Sequence, residues 1–331
     1  MALSLQDKRR AVIRKAAATI TLSALALAAS AQSAWPDRPI KLVVPFAAGG
    51  GSDIMARAIA DKLGARLGQP LIVDNKGGAG GAVGFAGVAS AAPDGNTLLF
   101  VTTAIATNPT SGVKLGYDPR KSFEPIGMIG MTPLLVNVAA SEKMNTLADL
   151  MKASRDKPGA VAYGSGGVGS MSHLGMALLA AETQMPLLHV PYKGMGPAMT
   201  DMLGGRIQAA MNTLTTAKPF IDDGKVRVLA VTGTQRSPFL PNVPTVAEAG
   251  VPGFQIEFWW GLMAPAGTSP AIVKRINDEL NALLAQKEVR DLLAKEAAVP
   301  RPVTPAEFRR IVNFDLDRWS KLIKDANIQV E

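Results

Sequence analysis

Two glycine-rich segments, residues 47–53 and 164–170, each follow a short apolar run and precede a helical pattern. A strand, a tight glycine loop and a helix in this order form the βαβ unit of a mostly parallel sheet. The unit occurs in two separate regions of a 331-residue chain, which is about the length of two domains. The sequence therefore predicts an α/β protein with two sheet-containing regions.

The first residues have a different character. Five Lys and Arg residues lie between residues 8 and 15, an apolar run covers 16–29, and Ala29, Ser30 and Ala31 form an A-x-A cleavage site. This pattern predicts a secretory signal peptide over residues 1–31. The alternative, a membrane anchor, is disfavoured because the apolar run is shorter than the ~20 residues that span a bilayer. We expect the mature protein outside the cytoplasm.

The charge and cysteine content exclude several classes of function. The net charge is +8, but the leader holds five of the basic residues and one acid, so the remainder carries only +4. Its Lys and Arg residues alternate with acids and form no basic stripe with aromatic residues, which argues against nucleic-acid binding. The chain has no Cys, so disulfides, thiolate metal sites and Cys nucleophiles are excluded.

Both glycine loops predict anion binding. Such a loop presents backbone N–H groups at the positive end of a helix, and glycine lets a ligand come close to the backbone. Hydroxyl groups of Ser52, Ser165 and Ser170 lie in or beside the loops. Thr102, Thr103 and Thr107 follow the carboxyl end of a strand, where ligands bind in open α/β sheets. Helix capping is the alternative role for each single Ser or Thr.

Residues 164–169 also match G-x-G-x-x-G, the spelling of a dinucleotide fingerprint. The acidic residue that should follow about 20 positions later is missing, so we do not expect a nucleotide.

Catalysis has few candidate residues. His173 and His189 are the only histidines, too few for a usual zinc site. His173 either faces a ligand or packs beside its loop, and His189 is predicted as a packed strand residue. A hydrolase that uses Ser170 and His173 is conceivable, but no acid at a recognisable position would orient the histidine.

A series of motifs carries a family resemblance. They are W-P-x-R-P-I at residues 35–40, P-F-x-x-G-G-x-x-D at 45–53, V-x-N-K-x-G-A-G-G at 73–81, Y-G-S-x-G-x-G-S-x-x-H at 163–173, V-P-Y-K-G at 190–194, P-x-V-P-T-x-x-E at 241–248 and W-W-G-x-x-A-P-A-G at 259–267. Together they resemble the Bug receptors, the periplasmic solute-binding components of tripartite tricarboxylate transporters.

The resemblance implies an α/β type II periplasmic-binding-protein fold, with two lobes joined by two crossing strands and a ligand cleft between them. The crossings are expected near residues 126–138 and 254–264. Lobe 1 is expected to comprise residues 35–125 plus 258–331, and lobe 2 residues 126–257.

The resemblance also implies the ligand and the partners. The ligand is expected to be a small carboxylate, namely a di- or tricarboxylate, an amino acid or an aromatic acid, held without cofactor or metal. The partner is expected to be the membrane part of a transporter, or alternatively a sensor kinase, and the protein a monomer. Met195, Met211 and Asn212 are expected in the pocket wall. The predicted ligand-binding residues are Phe46, Ala47, Ala48, Gly49, Gly50, Ser52, Thr102, Thr103, Ser165, Gly166, Gly167, Val168, Gly169, Ser170, His173 and Thr213.

Overall fold

The structure is a computed structural model that describes residues 35–112, 114–295 and 297–326. The predicted signal peptide lies outside these residues. The chain divides after Asp37, and the fold described below belongs to the unit that begins at Arg38. No helix in the described ranges is long and apolar enough to cross a membrane.

Strands and helices alternate along most of the chain. The strands are β1 (Ile40–Val44), β2 (Leu71–Asn75), β3 (Thr97–Thr102), β4 (Phe123–Ala139), β5 (Ala162–Ser165), β6 (Leu188–Pro191), β7 (Ala209–Thr213), β8 (Val226–Val231), β9 (Glu257–Pro265) and β10 (Val299–Pro300). The helices are α1 (Gly51–Leu67), α2 (Ala82–Ala89), α3 (Ala104–Thr107), α4 (Leu147–Asp156), α5 (Met171–Thr183), α6 (Met195–Leu203), α7 (Leu214–Asp222), α8 (Pro270–Leu284), α9 (Lys287–Lys295) and α10 (Pro305–Asp325). Short 3-10 turns cover Ala79–Gly81 and Asn108–Thr110.

Two half-sheets share strand β4. In lobe 1, the parallel strands β2, β1 and β3 lie side by side, and β9 joins β3 antiparallel. In lobe 2, β6, β5 and β7 are parallel to one another, while β7 and β8 pair antiparallel with β4. The predicted pair of βαβ regions is therefore confirmed, one in each lobe.

Strand β4 is the main connection between the lobes. Its first part pairs with β9 and its last part pairs with β7 and β8. The first crossing expected from the resemblance, near residues 126–138, is a single continuous strand. Residues 130–132 continue the strand because each of them pairs with β9. The predicted crossing of two strands between the lobes is confirmed.

Helix α1, which follows β1, buries one face and leaves the side chain of Ile54 exposed. Met55, Ile59, Leu63 and Leu67 form the buried face at the four-residue spacing of a helix. The helix ends where Gly68 takes a left-handed conformation with φ of 82°. Ser52, in the first turn of this helix, lines the cavity described below.

Candidate functional site

A cavity lies at the meeting point of the two lobes. Its lining includes residues at the start of α1 in lobe 1 and at the starts of α5, α6 and α7 in lobe 2. The lining residues are Phe46, Gly50, Gly51, Ser52, Leu134, Gly166, Ser170, Met171, Ser172, Met195, Met211, Asn212, Thr213, Thr216 and Phe258. Several helix N-termini therefore converge on this cavity. The first N–H groups of each helix have no carbonyl partner within that helix.

Direct hydrogen bonds close the cavity between the lobes. The Ala47 amide donates to the Lys193 carbonyl at 3.0 Å, and the Gly51 amide donates to Thr216 Oγ1 at 2.8 Å. On the other side, Thr107 Oγ1 donates to the Gly169 carbonyl at 2.6 Å. The structure is thus a closed arrangement in which both glycine loops contact the opposite lobe.

The second glycine loop uses most of its amides to hold its own shape. The Gly166 amide donates to Ser172 Oγ at 2.9 Å, the Gly167 amide to Ser165 Oγ at 3.1 Å, and the Ser170 amide to the Gly167 carbonyl at 3.0 Å. In this closed form, these amides already have partners. The amides of Met171 and Ser172, the first two residues of α5, are the better placed donors because a helix leaves them without a carbonyl partner.

Both histidines make hydrogen bonds to the same loop. His173 Nδ1 accepts a hydrogen bond from the Gly169 amide at 3.1 Å, and His189 Nε2 lies 2.7 Å from Ser165 Oγ. The ring of Tyr163 stacks on that of His189. Burial, together with the neighbouring His189, lowers the pKa of His173 to about 3, and burial lowers the pKa of His189 to about 4. Both rings are therefore neutral at pH 7, and Nδ1 of His173 contacts its own loop.

The electrostatics of the helix starts favour an anion. Helices α5, α6 and α7, as described, carry no acidic residue in the first turn that would offset the positive end of the helix dipole. Helix α1 has Asp53 there, but this buried carboxylate accepts hydrogen bonds from Arg57 Nε, the Gly49 amide and Asn75 Nδ2. Burial raises the pKa of Asp53, yet these bonds lower it overall. Its charge is thereby matched within lobe 1.

The structure brings part of the predicted site together. Six of the predicted binding residues line the cavity, namely Phe46, Gly50, Ser52, Gly166, Ser170 and Thr213, and the predicted wall residues Met195, Met211 and Asn212 join them. The others lie outside this lining: Ala47, Ala48, Gly49, Thr102, Thr103, Ser165, Gly167, Val168, Gly169 and His173.

The two threonines after β3 serve the fold. Thr103 Oγ1 accepts a hydrogen bond from the Trp259 amide at 2.9 Å, and Thr102 Oγ1 accepts one from the Ala104 amide at 3.2 Å. Both residues are almost fully buried. They join β3 to β9 and begin helix α3, so their hydroxyls do not face the cavity.

Sequence reasoning missed six lining residues: Gly51, Leu134, Met171, Ser172, Thr216 and Phe258. Leu134 and Phe258 lie on the two crossing strands, and that position was a usable signal because crossing strands flank the cleft. Thr216 lies one helical turn after Thr213, a spacing that places both on one face.

Comparison with known proteins agrees with this architecture. The family model described as "Tripartite tricarboxylate transporter family receptor" matches residues 55–328. The chain belongs to this family. Among solved structures, this receptor is similar to the periplasmic binding protein BugD, with a TM-score of 0.86 and 34% identity over 89% of this chain and 99% of that chain.

Two further structures of similar proteins carry ligands. The receptor is 37% identical to Rpa4515 of R. palustris, solved with adipate, with a TM-score of 0.86 over 89% of this chain and 99% of that chain. It is 33% identical to MatC of Rhodopseudomonas palustris, solved with bound malate, with a TM-score of 0.84 over 87% of this chain and 100% of that chain. The type II periplasmic-binding-protein fold expected from the resemblance is confirmed.

Ser170 and His173, the two residues of the hydrolase alternative, make contacts within the second glycine loop and the start of α5. Ser170 Oγ accepts a hydrogen bond from the His173 amide and lies 3.0 Å from Ser172 Oγ. His173 uses Nδ1 for the Gly169 amide. The Ser170 hydroxyl is thus a helix cap, as the capping alternative predicted.

Proposed function

We propose that this receptor captures a small carboxylate in the periplasm, closes its two lobes around it and delivers it to the membrane subunits of a tripartite tricarboxylate-type transporter. The observation that carries the proposal is the cavity on which helices from both lobes begin, with no charged side chain among its described lining residues. Aligned helix N-termini offer backbone N–H groups and a positive potential to an anion.

Hydroxyl groups add directional contacts at the same place. Ser52, Ser172, Thr213 and Thr216 line the cavity, each at or near the start of a helix. A carboxylate has about four lone-pair positions, so amides and hydroxyls together can satisfy it without an arginine. The adipate and malate in the structures of two relatives support a carboxylate as the ligand class.

Closure of the lobes is the step that the contacts between them support. The hydrogen bonds from Ala47 to Lys193 and from Gly51 to Thr216 join the two lobes beside the cavity. A ligand that contacts both lobes stabilises the closed form by its difference in affinity for the two forms. The transporter then recognises the surface of the closed form, which indicates that the ligand is bound.

Gly166 offers a direct test of the cavity. A Cβ at this position would lie 3.6 Å from Phe46 Cε1, an ordinary contact, so Gly166→Ala should fold and bind. Gly166→Leu should fold but fill the cavity, and carboxylate affinity measured by titration calorimetry should fall at least tenfold. Gly87→Leu is the matched control, because a Cβ on Gly87 meets nothing within 4 Å. Equal affinity for Gly166→Leu and Gly87→Leu would refute the assignment of this cavity.

Export belongs to the same proposal. Cleavage after Ala31 would leave Gln32 as the first residue of the mature chain. Intact-mass measurement of protein recovered from the periplasmic fraction tests this directly. A protein that retains residues 1–31 in that fraction would contradict the predicted signal peptide.

A further inference from the structure

The strands contribute an apolar surface to the cavity. Five lining residues lie within strands, and two of them, Asn212 and Thr213 at the end of β7, are polar. The apolar ones are Leu134 of β4, Met211 of β7 and Phe258 of β9. All three are nearly fully buried. A Cβ on Gly175 of α5 would lie 2.8 Å from Met211 Sδ and 3.9 Å from Leu134 Cδ1, so these two side chains lie together against that helix.

Asn212 is polar, but its amide atoms are already used inside lobe 2. Its Oδ1 accepts a hydrogen bond from Asn137 Nδ2 at 2.6 Å, and its Nδ2 contacts Met199 Sδ at 3.0 Å. The Oδ1 acceptor and one N–H of Nδ2 are therefore already engaged within lobe 2.

Further apolar side chains complete this surface. Met195 begins α6, Met171 begins α5, and Phe46 lies over Gly166. Three methionines among fifteen lining residues make an unusually adaptable apolar wall, because the unbranched thioether fits varied shapes and contacts aromatic rings favourably. The nearby charged groups of Asp53 and Arg57 pair with each other at 2.9 Å.

We propose that the ligand is a monocarboxylate with an apolar body, its carboxylate at the helix N-termini and its body against Leu134, Met211 and Phe258. This inference rests on the proposed function, because it assumes that a carboxylate occupies the helix starts. A carboxylate without a partner loses its hydration on burial and gains nothing in return. A second carboxylate on the strand side of the cavity would lose its hydration in this way.

A matched pair of acids tests the inference on the purified protein. Hexanoate and adipate have the same chain length and differ only in the second carboxylate, and hexan-1-ol lacks both charges. Titration calorimetry should show hexanoate binding at least tenfold more tightly than adipate, with hexan-1-ol binding more weakly than hexanoate.

Each outcome has a distinct meaning. Adipate that binds as tightly as hexanoate, or more tightly, overturns the monocarboxylate inference and leaves the carboxylate receptor standing. Hexan-1-ol that binds as tightly as hexanoate, or the absence of binding by both acids, overturns the proposed carboxylate function and the inference with it.

A cation placed on the apolar wall should reverse the preference. Met195 is only half-buried, so Met195→Lys can be accommodated, and its ammonium group would pair with a second carboxylate. The ratio of adipate to hexanoate affinity should rise at least tenfold. Met151→Lys is the matched control, because Met151 is also partly buried, lies on α4 and does not line the cavity. An unchanged ratio in folded Met195→Lys, judged by its circular dichroism, would contradict the placement of the ligand body.

Discussion

The imidazole rings of His173 and His189 stack with their centroids 3.8 Å apart and their planes 11° apart. Two positive rings at this separation would repel each other, and both rings also support the second glycine loop through hydrogen bonds. The stack therefore requires neutral histidines, and this requirement has a consequence for the dependence of stability on pH.

We expect the free energy of unfolding to fall as the pH falls below 6.5. The pKa of His173 is about 3 in the folded protein and 6.5 when unfolded, so below pH 6.5 the unfolded chain takes up a proton that the folded chain does not. The stabilising contribution is complete above pH 6.5. Between pH 7 and pH 5 the loss from His173 alone is about 2 kcal/mol.

Urea unfolding at a series of pH values measures this effect. His173→Asn removes the titrating group, so its unfolding free energy should depend less on pH, by about one proton between pH 5 and pH 6. If the wild type and His173→Asn show parallel pH curves, the stack is not the source of the dependence.

Gly80 is a position where the first lobe closely approaches the second glycine loop. It has φ of 60°, and a Cβ there would lie 2.1 Å from the Val168 carbonyl oxygen and 2.8 Å from the Ser170 amide. Gly80→Ala should prevent full closure, so ligand affinity in titration calorimetry should fall at least tenfold while each lobe keeps its fold.

The control for this variant is Gly159→Ala. Gly159 also has a positive φ, of 80°, but a Cβ there meets nothing within 4 Å. Both substitutions carry the left-handed backbone cost of roughly 1 kcal/mol, and only Gly80→Ala adds the clash between lobes. Comparable affinity in the two variants would show that this contact is dispensable for binding.

Trp259 and Asp315 predict a stability effect away from the cavity. Trp259 Nε1 donates to Asp315 Oδ2 at 2.6 Å, and both side chains are buried. Asp315→Ala would leave the indole N–H without this acceptor, at a cost of about 1–3 kcal/mol in unfolding free energy. Asp315→Asn should cost less, because the amide oxygen can accept the same bond.

Asp317→Ala provides the comparison for a surface position. Asp317 is 76% exposed and pairs with Arg120 on the surface, so its loss should cost less than about 1 kcal/mol. Equal destabilisation by Asp315→Ala and Asp317→Ala in chemical denaturation would show that the buried hydrogen bond contributes no more to the free energy of unfolding than the surface ion pair.

Local patterns in the sequence predicted the strand, loop and helix order well. Around Gly50 and Ser170, the apolar strand residues, the loop glycines and the start of the helix lie within a few positions of one another. The order of these elements can therefore be predicted from a short stretch of sequence. Ser170 does cap α5 by accepting from the His173 amide.

Contacts between distant segments were beyond the reach of these patterns. Thr103 was predicted at the ligand, but its hydroxyl bonds the Trp259 amide, 156 positions away. The amides of Gly167 and Ser170 were predicted as ligand donors, but the loop turns back so that Ser165 Oγ and the Gly167 carbonyl accept from them. A hydroxyl or an amide has many possible partners, and only the folded chain determines which one is near.

Strand β4 also has a practical consequence for protein engineering. Pro133 of β4 and Glu257 of β9 are paired across the two crossing strands, so the segment between them leaves and rejoins lobe 1 at adjacent points. We therefore expect that residues 133–257 can be exchanged as a cassette with the equivalent segment of a relative, with both junctions at one pair of residues in the sheet. Such chimaeras would assign ligand preference to one lobe or the other without altering the half-sheet that receives the cassette.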